Sequence, residues 1–148
     1  MVGKEHVDVQ VQMRAEADNV YALLRDGASW PMWTSIDSFQ LERAGAAGGI
    51  GAIWSFRKGR VTGRDQVVEM IPGRRFVYRH LSGFPVRDYR GDVELEPTEH
   101  GTRIGWHISF TPVILGTGWL LRWAIERFAR RCADGLASYA QTAVARER

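Results

Sequence analysis

The stretch RFVYRHLSG, Arg75–Gly83, sets Phe76, Tyr78 and His80 at alternate positions. In an extended chain, alternate side chains leave from one face. A neutral imidazole near pH 7 can take or give a proton, and a phenol can donate a hydrogen bond to an oxygen that gains charge. His80 and Tyr78 are therefore the candidate catalytic residues, and the chemistry they suit is removal of an acidic C–H proton with stabilisation of the enolate. The plainer role for such a histidine is structural, with both ring nitrogens satisfied locally. Arg64, in VTGRDQVVEM, would anchor a carboxylate or enolate if it faced the same way. Alternation leaves the direction of Arg64, Gln66 and Glu69 open, and a solvated position on a convex face is the plainer one for Arg64.

Other chemistries find no support. His6, His80, His100 and His107 are scattered without an HExxH spacing, and no serine sits in GxSxG. No metal or cofactor is expected. The single cysteine, Cys132, rules out an internal disulfide and fits a reducing cytoplasm. GAAGGIG, Gly45–Gly51, leads into a strand rather than a helix, so it reads as a turn or cavity border and not as a phosphate loop.

These residues must be held by strands. His6–Met13 alternates Val7, Val9, Val11 and Met13 against Asp8, Gln10 and Gln12. Asp18 is placed to cap a short helix over Asn19–Arg25, and Trp30–Ser35 forms a second, with Pro31 in its first turn. Six strands are then expected: Phe39–Arg43, Ala52–Lys58, Val61–Ile71, Arg74–Ser82, Asp88–Glu96 and Thr102–Thr111, the last stopped by Pro112. Tight Gly and Pro turns join them into an antiparallel meander. Within it, Trp54 and Phe56 share one face. Phe76, Tyr78 and His80 oppose Val77, Arg79 and Leu81. Tyr89, Val93 and Leu95 oppose Arg90, Asp92 and Glu94. Ile104, Trp106, Ile108 and Phe110 oppose Arg103, His107 and Ser109, which puts His80 and His107 on opposite faces. An aromatic inner face with polar tips from Tyr78, His80 and Tyr89 suits a small-molecule site. For any one of these aromatics, plain core packing is the commoner role.

GTGWLLRWAIERFARRCADGLASYAQTA, Gly116–Ala143, reads as a long amphipathic helix. At 100° per residue, Leu121, Ile125, Phe128, Ala129, Cys132, Leu136, Tyr139 and Ala143 share a stripe. Glu126–Arg130 and Arg130–Asp134 stand at i, i+4 and can pair. Charges at Arg122, Glu126, Arg127, Arg130, Arg131 and Asp134 exclude a membrane span, which needs about 20 apolar residues. The stripe calls for an apolar surface, and the meander offers one. Trp119 and Trp123 fall near the polar side, where a pocket mouth, a second subunit or a membrane surface would account for them, with Trp30 and Trp33 as candidate neighbours.

The 148 residues suit one domain, 1–148, with 45% hydrophobic and 25% charged residues typical of a soluble globular chain. The first residues lack the apolar run of a signal peptide, so a cytoplasmic location is expected. The net charge of +3 is carried by scattered arginines, and no nucleic-acid partner is expected.

The segments ADNVYALLRDGASWPMW, VVEMIPGRRFVYRHLSG and GTRIGWHISFTP, in that order and followed by the long helix, resemble the START/Bet v 1-like (SRPBCC) superfamily, and within it the bacterial polyketide cyclase/dehydrase-like group. The resemblance covers the whole chain. It implies an α+β helix-grip fold: a curved antiparallel sheet of about seven strands wrapped around a long C-terminal helix, with two short helices after the first strand. It implies a cavity for a lipid, polyketide or similar hydrophobic molecule. The expected ligand contacts are Trp33, Trp54, Phe56, Tyr78, His80, Tyr89, Trp106, Ile108, Leu121, Ile125 and Phe128. The alternative it implies is a cyclase or dehydrase acting on a bound polyketide by acid–base chemistry. No catalytic Arg/Tyr pair of the aromatic cyclases matches this sequence residue by residue. A homodimer or surface contact through Trp119 and Trp123 is a further expectation.

Overall fold

The computed structural model describes residues 4–46, 49–114 and 116–146. Ala47 and Gly48 of the glycine-rich connection, and the side chain of Ala143, lie outside the described residues. The elements run β1 (Glu5–Met13), α1 (Ala17–Arg25), a 3-10 turn (Gly27–Ser29), α2 (Trp30–Trp33), β2 (Ser38–Arg43), β3 (Ile53–Lys58), β4 (Val61–Ile71), β5 (Arg75–Ser82), β6 (Val86–Thr98), β7 (Gly101–Pro112) and α3 (Gly118–Arg146). The seven strands form one antiparallel sheet in the order β1-β7-β6-β5-β4-β3-β2, curved but not closed. The chain thus adopts the expected helix-grip fold.

β1 alternates cleanly, with Val7, Val9 and Met13 buried and Asp8, Gln10 and Gln12 exposed. α3 lies chiefly along β1 and also touches β7, α1 and α2. Its stripe divides in two. Ala129, Cys132, Ala133, Leu136 and Ala140 are buried, whereas Leu121, Ile125 and Phe128 are only half-buried. Gly135 allows α3 to press on α2, because a Cβ there would overlap the Trp33 carbonyl oxygen. The sheet's share of the core includes Phe76, Trp106, Phe110 and Ile104, all at most 1% exposed. Each such side chain contributes about 1.5–3 kcal/mol by leaving water.

Several local expectations need correction. Glu16, not Asp18, occupies the N-cap of α1, and no side chain caps it. The Asp18 carboxylate lies over the Gly73 turn and sits in the helix's first turn, where a negative charge suits the helix dipole. α2 ends at Trp33 because Thr34 turns extended and returns both its N–H and its hydroxyl to the Trp30 carbonyl. Pro112 is the last residue of β7, paired with Val86, rather than the residue that stops it. Val77 alternates with Arg79 and Leu81 on the face opposite Tyr78 and His80, yet it is fully buried. It stands outside the interior cluster, between cross-strand partners Glu69 and Asp92, and both of these bond Arg75. Those ion-paired arms shield it on the outer face.

Two bulges reset the alternation. One, between Val67 and Glu69, lets both Val67 and Met70 face inward. The other, between Arg87 and Arg90, places Asp88 at φ 53 and lets both Val86 and Tyr89 pack against the core. Asp tolerates this left-handed conformation better than most residues.

Candidate functional site

Between the concave face of the sheet and the first turns of α3 lies a cavity of about 260 Å³. Its walls are mostly apolar: Trp30, Ile36, Phe56, Val86, Leu121, Ile125 and Phe128. Its polar end is made by Asp65 on β4, Tyr78 and His80 on β5, and Tyr89 on β6, with Phe84 and Pro85 of the β5–β6 loop beside them. Lys58 at the end of β3 also lines it, with its ammonium 4.9 Å from the Phe128 ring centroid. Wider depressions elsewhere, such as the mostly polar one around Glu16, Arg74 and His100, are open to solvent. Among the described residues, this less open cavity brings buried titratable groups together.

His80 and Asp65 are direct cross-strand partners, and His80 Nδ1 lies 2.8 Å from Asp65 Oδ1. The His80 side chain is 4% exposed and that of Asp65 17%. The Phe84 backbone N–H donates to His80 Nε2 at 3.2 Å, and the Phe84 ring stacks on the imidazole at 5.0 Å between centroids. A backbone N–H can only donate, so Nε2 accepts and the ring proton sits on Nδ1, donated to Asp65. Burial raises the Asp65 carboxyl above its usual range, with the His80 hydrogen bond acting against it.

The Trp106 indole N–H donates to the Tyr78 hydroxyl at 3.1 Å, which leaves Tyr78 its own proton to give. Burial pushes both Tyr78 and Tyr89 far above the ordinary phenol range, and nearby Asp65 adds to the rise. Both phenols therefore stay protonated and serve as donors. Together the four side chains offer a molecule in the cavity two acceptors, His80 Nε2 and the Asp65 carboxylate, and two donors, the Tyr78 and Tyr89 hydroxyls.

Of the residues expected at a ligand, Phe56, Tyr78, His80, Tyr89, Leu121, Ile125 and Phe128 line this cavity. Trp54, Trp106 and Ile108 do not line it. Trp54 is buried and stacked on Phe76, Trp106 stands behind Tyr78, and Ile108 packs opposite Val7 of β1. Trp33 is buried too, but its indole turns to the Ser29 hydroxyl and it borders a groove between α2 and α3. Trp30 takes the central place instead. Its indole donates to the Leu24 carbonyl, and its ring lies within 6.4 Å of Trp54, Phe56, Phe76, Tyr78 and Trp106. In a four-residue helix no periodicity tells Trp30 from Trp33.

The open directions on β4 are resolved. Arg64 forms a two-pronged pair with Glu42 on the outer side, Gln66 bonds the Gly51 carbonyl and Arg79, and Glu69 lies 3.8 Å from Arg75. Asp65, between Arg64 and Gln66, points inward, and sequence reasoning missed it. The signal was present: if both neighbours face out, alternation sends Asp65 in. His107 bonds Asp8 on the convex face, opposite His80. Among the described residues, no group of three His, Cys, Asp or Glu side chains comes close enough to hold a metal. No helix among the described residues is long and apolar enough to cross a membrane. Trp119 and Trp123 are 70% and 56% exposed, with the Arg127 guanidinium 5.5 Å from the Trp123 ring. Trp30 and Trp33 are buried against each other and are not their partners.

The sequence profile of a family described as polyketide cyclase/dehydrase and lipid transport matches residues 4–141. The chain belongs to this family. Solved structures agree on the family's fold. The Zhui aromatase/cyclase from Streptomyces sp. R1128 superimposes with a TM-score of 0.83 at 17% identity, covering 96% of both chains. The di-domain aromatase/cyclase StfQ of the steffimycin biosynthetic pathway gives 0.79 at 16% identity, with 96% of this chain matched to 52% of that one. A START superfamily protein from Mycobacterium smegmatis gives 0.78 at 11% identity, covering 95% and 99%. Sequence comparison with curated proteins finds no match. At such identities these likenesses establish shared architecture.

Proposed function

We propose that this member of the polyketide cyclase/dehydrase family binds a compact, largely apolar organic molecule in the cavity between sheet and α3. One observation carries the reading: the partly enclosed space of about 260 Å³ has mostly apolar walls and gathers Asp65, Tyr78, His80 and Tyr89 at one end, with the Lys58 ammonium over the Phe128 ring as its remaining charged group. That division matches small-molecule sites, where apolar surface gives affinity and a few polar groups give orientation. The half-buried Leu121, Ile125 and Phe128 belong to the same reading, since a bound molecule would complete their burial. The size suits a molecule of a few fused rings or a short chain rather than a large lipid. Native mass spectrometry tests it. The purified protein should carry an organic adduct that is lost on denaturation, or should take up an apolar probe one-to-one. Bare protein that takes up no probe would contradict the reading.

A specific observation favours a second reading, in which the bound molecule is also transformed. A histidine held by a carboxylate, beside two buried phenols, is an arrangement for moving a proton and stabilising an enolate. His80 would take the proton through Nε2 once the Phe84 N–H is displaced, and Tyr78 or Tyr89 would donate to the oxygen. His80→Gln should then abolish turnover with ligand affinity largely kept. Unchanged turnover and an unchanged pH profile would remove His80 from that role.

A further inference from the structure

Two of the groups around the His80 ring decide what the cavity can recognise. Asp65 Oδ1 accepts a hydrogen bond from the Nδ1–H at 2.8 Å, and the Phe84 N–H occupies Nε2 at 3.2 Å. A third, the Phe84 ring, covers the imidazole face at 5.0 Å and shields it from water. His80 is thus fixed as a hydrogen-bond acceptor toward the cavity, and its acceptor nitrogen is already paired with a donor that belongs to an exposed loop. Phe84 itself is 53% exposed, and Gly83 beside it sits at φ 120, a conformation open to glycine.

We infer that the polar end selects a molecule bearing an acidic hydroxyl, a phenol or an enol, whose O–H replaces the Phe84 N–H on His80 Nε2. The inference rests on the cavity being a binding site and adds the class of ligand. A buried acceptor left without a donor costs free energy, so the Phe84 N–H leaves only for something that donates at least as well. Ketones, ethers and hydrocarbons cannot supply that proton. A phenol or enol can, and its oxygen then lies among the donors Tyr78 and Tyr89. No bond to carbon is made or broken in this step. Asp65 acts as a positioning residue: it does not need to touch the ligand, because it holds the ring proton on Nδ1 once the Phe84 N–H, which also favours that tautomer, has been displaced.

The experiment compares 2-naphthol, 2-methoxynaphthalene, 2-acetylnaphthalene and naphthalene by calorimetric titration against the full chain. The parent protein should bind 2-naphthol roughly tenfold more tightly than the methyl ether, the worth of about one well-placed hydrogen bond. His80→Phe keeps a ring and removes the acceptor, so naphthalene affinity should hold while the naphthol preference collapses. Asp65→Asn can face Nδ1 with its oxygen or with its amide N–H, so once a ligand displaces the Phe84 N–H the ring is free to carry its proton on Nε2. Its preference should move away from naphthol and toward 2-acetylnaphthalene, an acceptor only. Nitrogen-15 spectra of the parent should show the proton on Nδ1 of His80, and those of Asp65→Asn with 2-acetylnaphthalene bound should show it shift toward Nε2. Naphthalene binding with a naphthol preference that neither substitution alters would overturn the inference and leave the cavity reading standing. Failure of all four probes to bind would overturn both.

Discussion

The Tyr78 ring lies flat across Gly91, its cross-strand partner on β6. A Cβ at position 91 would stand 2.6 Å from Tyr78 Cε1 and overlap Cζ as well. Glycine is thus required by space, and the missing side chain is what lets the Tyr78 hydroxyl reach Trp106 and the cavity. Gly91→Ala should destabilise the fold by about 1–3 kcal/mol, as overpacking does, and should displace the phenol. Urea unfolding and the indole N–H resonance of Trp106 would report both effects. Unchanged stability with an unshifted Trp106 signal would show that the ring has room to move.

The division of the α3 stripe makes a graded prediction. Phe76→Ala should cost about 3–5 kcal/mol and Leu136→Ala about 2–5, since both are fully buried. Phe128→Ala should cost less than either, because Phe128 is half-buried over the cavity. Trp123→Ala should stay within about 0.5 kcal/mol of the parent. Equal losses at Leu136 and Phe128 in chemical denaturation would mean that the helix is packed evenly along its length.

Asp65 carries a pH signature with a definite sign. Its carboxyl is raised in the folded state, chiefly by burial. The folded protein therefore holds this proton to higher pH than the unfolded chain does. The stability it contributes is complete below the ordinary carboxylate range and is lost as pH rises through the raised value. The parent should lose ground against Asp65→Asn as pH climbs through that window, then run parallel to it. Denaturant titrations of both proteins across the acid range check this. A parent that gains on the variant over the same window would show that His80 outweighs burial.

How far the sequence spoke for itself can be seen on β4 and β5. Strand order, the long helix and the inward set Phe76, Tyr78 and His80 were legible because alternation and turn residues are local signals. The Asp65–His80 pair depends on a non-local one. Near the turn, Ile71 faces Arg75 and Met70 faces Phe76, and that register carried onward would set His80 opposite Gln66. The bulge between Val67 and Glu69 slips the pairing by one and brings Asp65 opposite instead. Nothing in VVEM announces a bulge. Trp30 was hidden for a different reason, since four helical residues hold too little of a turn to define a face. The burial of Val77 was not legible because its cover comes from cross-strand Glu69 and Asp92 and from Arg75, which pairs with both and whose aliphatic stem can shield apolar surface.

Cys132 offers a probe of opening. It is 1% exposed, and burial pushes its thiol up to about 12. At pH 8 it should react with a thiol reagent only as fast as the helix lifts from the sheet, and denaturant should speed the reaction steeply. Labelling at the rate of a free thiol in native buffer would contradict the packing of α3.

The central claim is that the space between sheet and α3 is a binding cavity, and filling it from the protein side tests that most directly. Ile125→Trp places an indole where Ile125 now lines the wall. Thermal unfolding of parent and variant is followed as naphthalene is titrated, with cooperative melting confirming that both are folded. The parent should gain about 2.7 kcal/mol of stability at a hundredfold excess over Kd, seen as a saturating rise in Tm, and Ile125→Trp should gain none. Equal rises in both proteins, or no saturable rise in the parent, would contradict the claim.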